Sequence, residues 1–365
     1  MRNPFTPNFG QVPIHMAGRS NIVEEMREAF DSGLGNPNLC TLFTGARGTG
    51  KTALLLFLAQ EAEQRGWISV SVTAVSGMLE DIYEQAVRKA ANLVDSDDGP
   101  HMKAISLGKI IGIEWESANP PSLNWRSRMT TLLDALAETE TGLVITVDEV
   151  DPGLDEIVQL ATVYQHFIGE NRNVSLIMAG LPYRISTLLG GKSISFLRRA
   201  NQVSLGRIEE ADVAEAFAQT VEIGGKSIDD EALDEAVQGI GGFPFMMQLV
   251  GYRSWKAAGE GDIKAEHVRR GIALAQSDMK NRVLKATLDE LSERDLDFLL
   301  AMLQDGRASR TADIAVRINM TPGNTSIYRK RLLEQGVIED ARRGEVQFAL
   351  PLLRKYLPEY CSQNA

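Results

Sequence analysis

One octapeptide constrains this chain more than any other feature. Gly45-Ala-Arg-Gly-Thr-Gly-Lys-Thr52 fills every fixed position of the pattern G-x-x-x-x-G-K-[ST]. It follows a compact apolar run at 39–43. It precedes a run at 52–65 in which Leu54, Leu55, Leu58 and Ala59 recur at helical spacing. A strand that turns through glycines straight into a helix dictates an α/β unit. Glycines let successive backbone N–H groups point inward as an anion nest, and the helix that follows aims its positive end at the same spot. Gly45, Ala46, Arg47, Gly48, Thr49 and Gly50 therefore read as a cradle for phosphates. Lys51 is placed to reach the β- and γ-phosphates, and the Thr52 hydroxyl is a ligand for Mg²⁺. The expected ligand is a nucleoside triphosphate with Mg²⁺.

A second motif extends this reading. The apolar β run 143–147 ends in Asp148 and Glu149. An acid at such a strand tip holds the Mg²⁺ shell, the role expected of Asp148, and Glu149 is placed to polarise a water for attack on the γ-phosphate. Further β runs at 67–74, 104–115, 174–179 and 203–205 alternate with helical patterns at 21–30, 78–93, 125–139 and 154–169. Such alternation predicts a parallel sheet. A whole strand–helix pair fits between the two motifs, which predicts the additional-strand order, in which the acidic strand is not the sequence neighbour of the loop strand. After residue 209 the strand signals stop. Helical patterns at 209–221, 229–238, 245–258 and 265–276 predict a small helical domain, and 279–291 a linking helix.

Charge separates the C-terminal end from the rest. The net charge is −11, yet residues 306–357 hold ten lysines and arginines against five acids. That segment carries a surplus of five positive charges, which leaves −16 for everything else. Within it, helices are predicted at 292–303 and 311–318. Thr321 caps a third helix with Pro322 at its first position, and a hairpin turns at Arg342-Arg343-Gly344. This pattern predicts a winged helix-turn-helix whose third helix enters the major groove. Asn324, Thr325, Ser326, Tyr328 and Arg329 would meet base edges. Lys330 and Arg331 would meet phosphates, and Arg342 and Arg343 the backbone or minor groove.

Apolar residues make up 44% and charged residues 24% of 365, a globular mix, and no apolar run is long enough for a membrane span. Cys40 and Cys361 have no metal-ligand spacing and read as reduced thiols, which points to the cytoplasm.

Taken together, the motifs resemble those of the AAA+ ATPases, more narrowly the prokaryotic origin-recognition-like and STAND-type group. The resemblance runs from His15 to about Tyr356. Gly18-Arg19 is similar to the box that lies against the adenine in that family. Ser195-Phe-Leu-Arg198-Arg199 sits where the family often carries an arginine finger, and Gly241-Gly242-Phe243-Pro244 resembles its lid motif. The resemblance implies ATP and Mg²⁺ as cofactors, contact of Gly18, Arg19 and Pro244 with the nucleotide, and a shared site in a homo-oligomer completed by Arg198 or Arg199. Two positions depart from the pattern. The strand 175–179 ends without Asn or Thr, and no arginine adjoins the lid motif, Arg253 being the candidate. Both departures imply slow hydrolysis, a switch more than a motor.

The expected organisation is an arm at 1–19, an ATPase domain at 20–208, a helical lid at 209–278, a linker at 279–291 and a winged helix at 292–360. The expected function is an ATPase switch that controls binding to duplex DNA. The alternative is a STAND-like signalling ATPase whose winged helix contacts a protein partner. No acceptor-substrate pocket for a phosphotransferase is visible.

Overall fold

The structure is a computed structural model that describes residues 2–8, 10–94, 124–191 and 194–364. The β reading of 104–115 lies outside the described residues. Among them, no helix is long and apolar enough to cross a membrane.

Five strands build the central sheet: β1 (Cys40–Thr44), β2 (Ile68–Thr73), β3 (Leu143–Asp148), β4 (Val174–Gly180) and β5 (Asn201–Ser204). They pair in parallel in the order β2-β3-β4-β1-β5. The phosphate-loop strand β1 is thus separated from the acidic strand β3 by β4, the additional-strand order that the sequence predicts. All seven positions of β4 are buried, as a central strand covered on both faces requires.

Around the sheet lie α1 (Ser20–Ser32), α2 (Lys51–Gln64), α3 (Met78–Val94), α4 (Trp125–Glu138), α5 (Asp155–Gly169) and α6 (Pro182–Gly190). Helix α2 buries Leu54, Leu55 and Leu58 against Phe43, Val144 and Ile177 of the sheet. The register sets Thr44 beside Gly180 and Ser204, and Thr73 beside Asp148, so the carboxyl ends of the strands share one edge. Ligands bind at that edge in open parallel sheets.

Four helices follow: α7 (Glu210–Ile223), α8 (Asp230–Ile240), α9 (Pro244–Ala257) and α10 (Ala265–Met279). A π-helical turn, Lys280–Leu284, then leads into α11 (Lys285–Asp289). The C-terminal unit sets α12 (Glu293–Met302), α13 (Thr311–Arg317) and α14 (Pro322–Glu334) against three short antiparallel strands. These are β6 (Ser309–Arg310), β7 (Ile338–Arg342) and β8 (Glu345–Phe348), in the order β6-β8-β7. A last helix, α15 (Leu353–Asn364), was not legible in the sequence. It packs Tyr356, Leu357 and Tyr360 into an apolar core that runs unbroken from the α7–α10 bundle into the C-terminal unit.

The N-terminal arm is docked on the α7–α10 bundle, where an extended arm is predicted. Phe5 is 2% exposed and stacks at 5.0 Å on Phe217. Asn3 Nδ2 donates to the Tyr252 carbonyl, and the Thr6 amide donates to Gln248 Oε1. A Cβ on Gly251 would stand 2.2 Å from the Phe5 ring, so the absence of a side chain there makes the socket.

Candidate nucleotide-binding site

The phosphate loop leaves β1 at Thr44 and enters α2 at Lys51. Gly48 and Gly50 adopt φ of 81° and 86°, which only glycine adopts without strain. Gly45 is needed for a different reason: a Cβ there would lie 2.8 Å from the Leu205 carbonyl oxygen. Lys51 is buried and its Nζ donates to the carbonyls of Gly45 and Ala46, at 2.9 Å each. Two of its three N–H donors hold it in place. Burial lowers the Lys51 ammonium below the usual lysine value, Glu149 and Asp148 pull it back up, and Arg47 lowers it again.

Thr52 Oγ1 donates to Asp148 Oδ2 at 2.5 Å. A hydroxyl and a carboxylate so placed fit Mg²⁺, a hard cation that takes one or two protein oxygens and completes its shell with phosphate and water. Among the described residues no cluster of three or more His, Cys, Asp or Glu forms an all-protein cage. Glu149 stands next in the chain with φ of 55°, a left-handed conformation that costs a glutamate of order 1–3 kcal/mol. Its amide donates to Asp148 Oδ1 at 2.8 Å, and the Val150 amide is bonded to the Ala179 carbonyl. These two bonds hold the strained turn, and Glu149 lines the cavity beside Lys51.

That cavity is about 410 Å³, within the range of small-molecule sites. The loop 47–52 forms its floor. Pro244 and Phe245 at the start of α9 cover it, their Cβ atoms within 4 Å of where side chains on Gly50 and Gly48 would begin. Gly18 and Gly242 both press on Ile208: an added Cβ would stand 2.7 Å from its Cγ2 or 2.6 Å from its carbonyl oxygen. Arg19 lines the same cavity and donates from Nη2 to the Gly206 carbonyl at 2.7 Å. Burial lowers its guanidinium from the usual arginine value, against the attraction of Asp212. The structure thus brings Arg19, the phosphate loop, Glu149 and Pro244 around one space, with Gly18 packed just behind it.

Two walls were missed in the sequence. Thr6, Asn8, Gln11 and His15 come from the arm, and Arg282, Thr287 and Glu290 from the linker. Phe5, an aromatic residue in a stretch rich in Pro, Asn and Gly, is a signal in the sequence that the arm docks.

Arg198 and Arg199 lie on a 3₁₀ turn, Ser195–Arg199, both exposed and outside the cavity lining. Arg198 Nε donates to the Leu189 carbonyl at 2.8 Å. Arg253 is committed elsewhere, its Nε and Nη2 each donating to Asp278 at 2.7 Å. The end of β4 offers backbone alone to the loop: the Gly180 carbonyl accepts from the Gly45 amide at 3.4 Å.

Residues 15–170 match the family described as AAA ATPase domain. The chain carries an AAA ATPase domain. Three solved structures are similar in fold over nearly the whole chain. The ORC2 protein of Aeropyrum pernix is 13% identical with a TM-score of 0.61, covering 98% of each chain. A Walker-type ATPase of Pyrococcus abyssi is 15% identical with a TM-score of 0.64, over 93% of this chain and 95% of that one. Cdc6p of Pyrobaculum aerophilum is 15% identical with a TM-score of 0.52, over 98% and 97%. A search of curated protein sequences returns no match. Residues 281–357 match a domain of unknown function.

That C-terminal unit sorts its basic residues into two groups. Arg317 makes a two-nitrogen pair with Asp305, Arg329 pairs with Asp340 on β7, and Arg331 pairs with Asp295, which is 1% exposed. Arg354 donates to the carbonyls of Leu303 and Asp305. These four hold the unit together. Asn324, Ser326, Lys330, Arg342 and Arg343 are exposed, with Lys330 loosely paired to Glu334 at 3.8 Å. Three expectations are corrected. Thr325 is fully buried and donates to the Thr321 carbonyl, so it faces inward. Tyr328 is half-buried under the Arg331 guanidinium. Arg329 is drawn to the hairpin by Asp340.

Proposed function

We propose that this AAA ATPase is a switch that binds ATP with Mg²⁺, hydrolyses it slowly, and uses its nucleotide state to control how the C-terminal unit holds duplex DNA. The observation that carries the reading is the Thr52–Asp148 hydrogen bond beside Lys51, which joins the two halves of a phosphate and Mg²⁺ site. Residues 20–208 bind the phosphates, 209–278 close over them, 279–291 link, and 292–360 form a winged helix. Thr52 and Asp148 would hold Mg²⁺, which neutralises charge on the phosphates. Glu149 takes a proton from water as its oxygen attacks the γ-phosphorus. The bond from that phosphorus to the β-γ bridging oxygen breaks, ADP leaves, and the proton passes to inorganic phosphate.

Slow turnover is supported by the apolar end of β4 and by the engagement of Arg253 with Asp278. Arg198 and Arg199, exposed and outside the cavity of their own chain, suit a finger role toward a neighbouring copy in an oligomer. Cys40 and Cys361 are free thiols, which suits a reducing cytoplasm. The DNA half rests on Lys330, Arg342, Arg343, Asn324 and Ser326, a patch of exposed basic and polar groups on an acidic chain.

Fluorescence anisotropy of a labelled duplex, with ATP, ADP and no nucleotide, tests the reading. Duplex affinity should change with nucleotide and fall steeply with salt. Lys51→Ala should remove the nucleotide effect. Absence of binding to any duplex at low salt would defeat the DNA assignment and leave the ATPase assignment standing.

A second reading has its own observation. Val316 on α13 and Ile327 on α14 are 80% and 64% exposed. Apolar side chains on a recognition face suit a protein partner, and the protein would then be a STAND-like signalling ATPase.

A further inference from the structure

One wall of the cavity comes from the linker. Met279, Arg282, Val283, Ala286, Thr287 and Glu290 all line it. Their spacing of three and four places them on a single helical face. Arg282 and Val283 fall within the π-helical turn, Lys280–Leu284. Such turns recur at functional sites because the extra residue re-aims the side chains of its turn.

Arg282 is the one cation of that face, and its charge is in surplus. Its nearest acid, Asp278, is 3.9 Å away and is already bonded by two nitrogens of Arg253 at 2.7 Å. The Arg282 side chain is 61% exposed where Asp278 is 15% exposed. The cavity's other cations are engaged on the ATPase domain, Lys51 with loop carbonyls and Arg19 with the Gly206 carbonyl, while Arg47 sits on the loop itself. Its acids are Glu149 and Glu290.

We infer that Arg282 is a nucleotide-contact residue, donating its guanidinium N–H groups to the phosphate chain of the nucleotide that the loop 45–52 holds. The inference rests on the nucleotide reading above and adds a contact from outside both the ATPase domain and the α7–α10 bundle. It also supplies a route to the C-terminal unit. The linker is clamped to α15 by the Lys280–Glu359 ion pair, by Lys280 over the Tyr356 ring at 4.8 Å, and by Tyr360 Oη donating to Asp289 Oδ1 at 2.8 Å. Leu350, from the segment between β8 and α15, reaches the same cavity. A phosphate chain that fixes Arg282 therefore fixes the helix on which the C-terminal unit is mounted.

Titration of the full chain with N-methylanthraniloyl ATP and ADP in Mg²⁺, paired with hydrogen exchange across 279–290, tests this. Arg282→Ala should weaken ATP binding by about tenfold, the scale of one charge-assisted hydrogen bond, and Arg282→Lys should recover part of it. ATP should protect the amides of 279–290 in the parent and not in Arg282→Ala. Parent-like ATP affinity in Arg282→Ala, alongside lost affinity in Lys51→Ala, overturns the role of Arg282 and spares the nucleotide reading. Undiminished binding in Lys51→Ala overturns both.

Discussion

Thr52 donates its hydroxyl hydrogen to Asp148 across 2.5 Å, although 96 residues separate the two. The bond couples the first turn of α2 to the tip of β3, with β1 and β4 as the sheet between. Neither residue needs the other for folding, because Thr52 is exposed and Asp148 is half-buried at a strand end. A Mg²⁺ ion shared by the two would give their convergence a role in the proposed function. Asp148→Asn should weaken Mg²⁺-supported ATP binding by about 10- to 100-fold, the scale seen when metal-site groups are lost. Binding in EDTA should hardly change. Equal loss with and without Mg²⁺, in calorimetry, would count against a metal role.

Glu149 is held in a left-handed turn by bonds to Asp148 and Ala179. A strained backbone at a cavity wall is retained where side-chain aim matters. Glu149→Gln keeps shape and removes the proposed base. ATP binding should persist, and phosphate release should fall by about 100-fold or more. Phosphate release at the parent rate would assign water activation to another group.

Ile208 is the meeting point of Gly18 and Gly242, which lie 224 positions apart in the sequence. Both glycines have positive φ, 63° and 76°, and neither has room for a Cβ. Gly242→Ala adds strain and a clash with the Ile208 carbonyl, and should cost about 1–3 kcal/mol. Gly344→Ala keeps the positive φ (79°) but meets open space, so it separates strain from clash. Thermal melts that show an equal loss for the two would remove the packing argument.

The legible part of this fold is the part written in local pattern. The octapeptide, the apolar run into Asp148 and the helical spacing of Leu54, Leu55 and Leu58 each describe one element and its neighbour, and the sheet order followed from the chain length between motifs. What escaped depends on distant contacts. Phe5 finds Phe217 and the notch at Gly251, a socket no local rule encodes. The π-helical turn at Lys280–Leu284 has no compositional mark, and it carries Arg282, which lines the cavity. In the C-terminal unit, helical spacing alone left the rotation of α14 open: Thr325 turned inward, and Arg329 and Arg331 were claimed by Asp340 and Asp295.

Asp305 ties the C-terminal unit together with Arg317. The Arg317 guanidinium, bonded to its carboxylate, holds Asp305 at about 2, below the usual 3.8, with Ser309 adding to the effect. A carboxyl whose folded value is depressed binds fewer protons folded than unfolded, so its contribution is complete above pH 3.8 and is lost as pH falls toward 2. The difference in melting temperature between the parent and Asp305→Asn should therefore be constant near neutrality and shrink across that acid window. A difference that persists at pH 2 would mean the substitution acts through packing.

The exposed groups of the C-terminal unit decide between its two readings. If DNA is the partner, Lys330, Arg342 and Arg343 neutralise phosphates. Replacing all three with alanine should then lower the slope of log affinity against log salt by about three units. Ile327→Asp on the same face should weaken duplex binding as well, since it adds a negative charge beside the groove. If a protein is the partner, the triple variant should leave nucleotide-linked assembly intact, and Ile327→Asp or Val316→Asp should abolish it, because the 64% and 80% exposed side chains would be the anchors. Anisotropy with duplex and light scattering with ATP and ADP, run on the same three variants, give opposite patterns for the two readings.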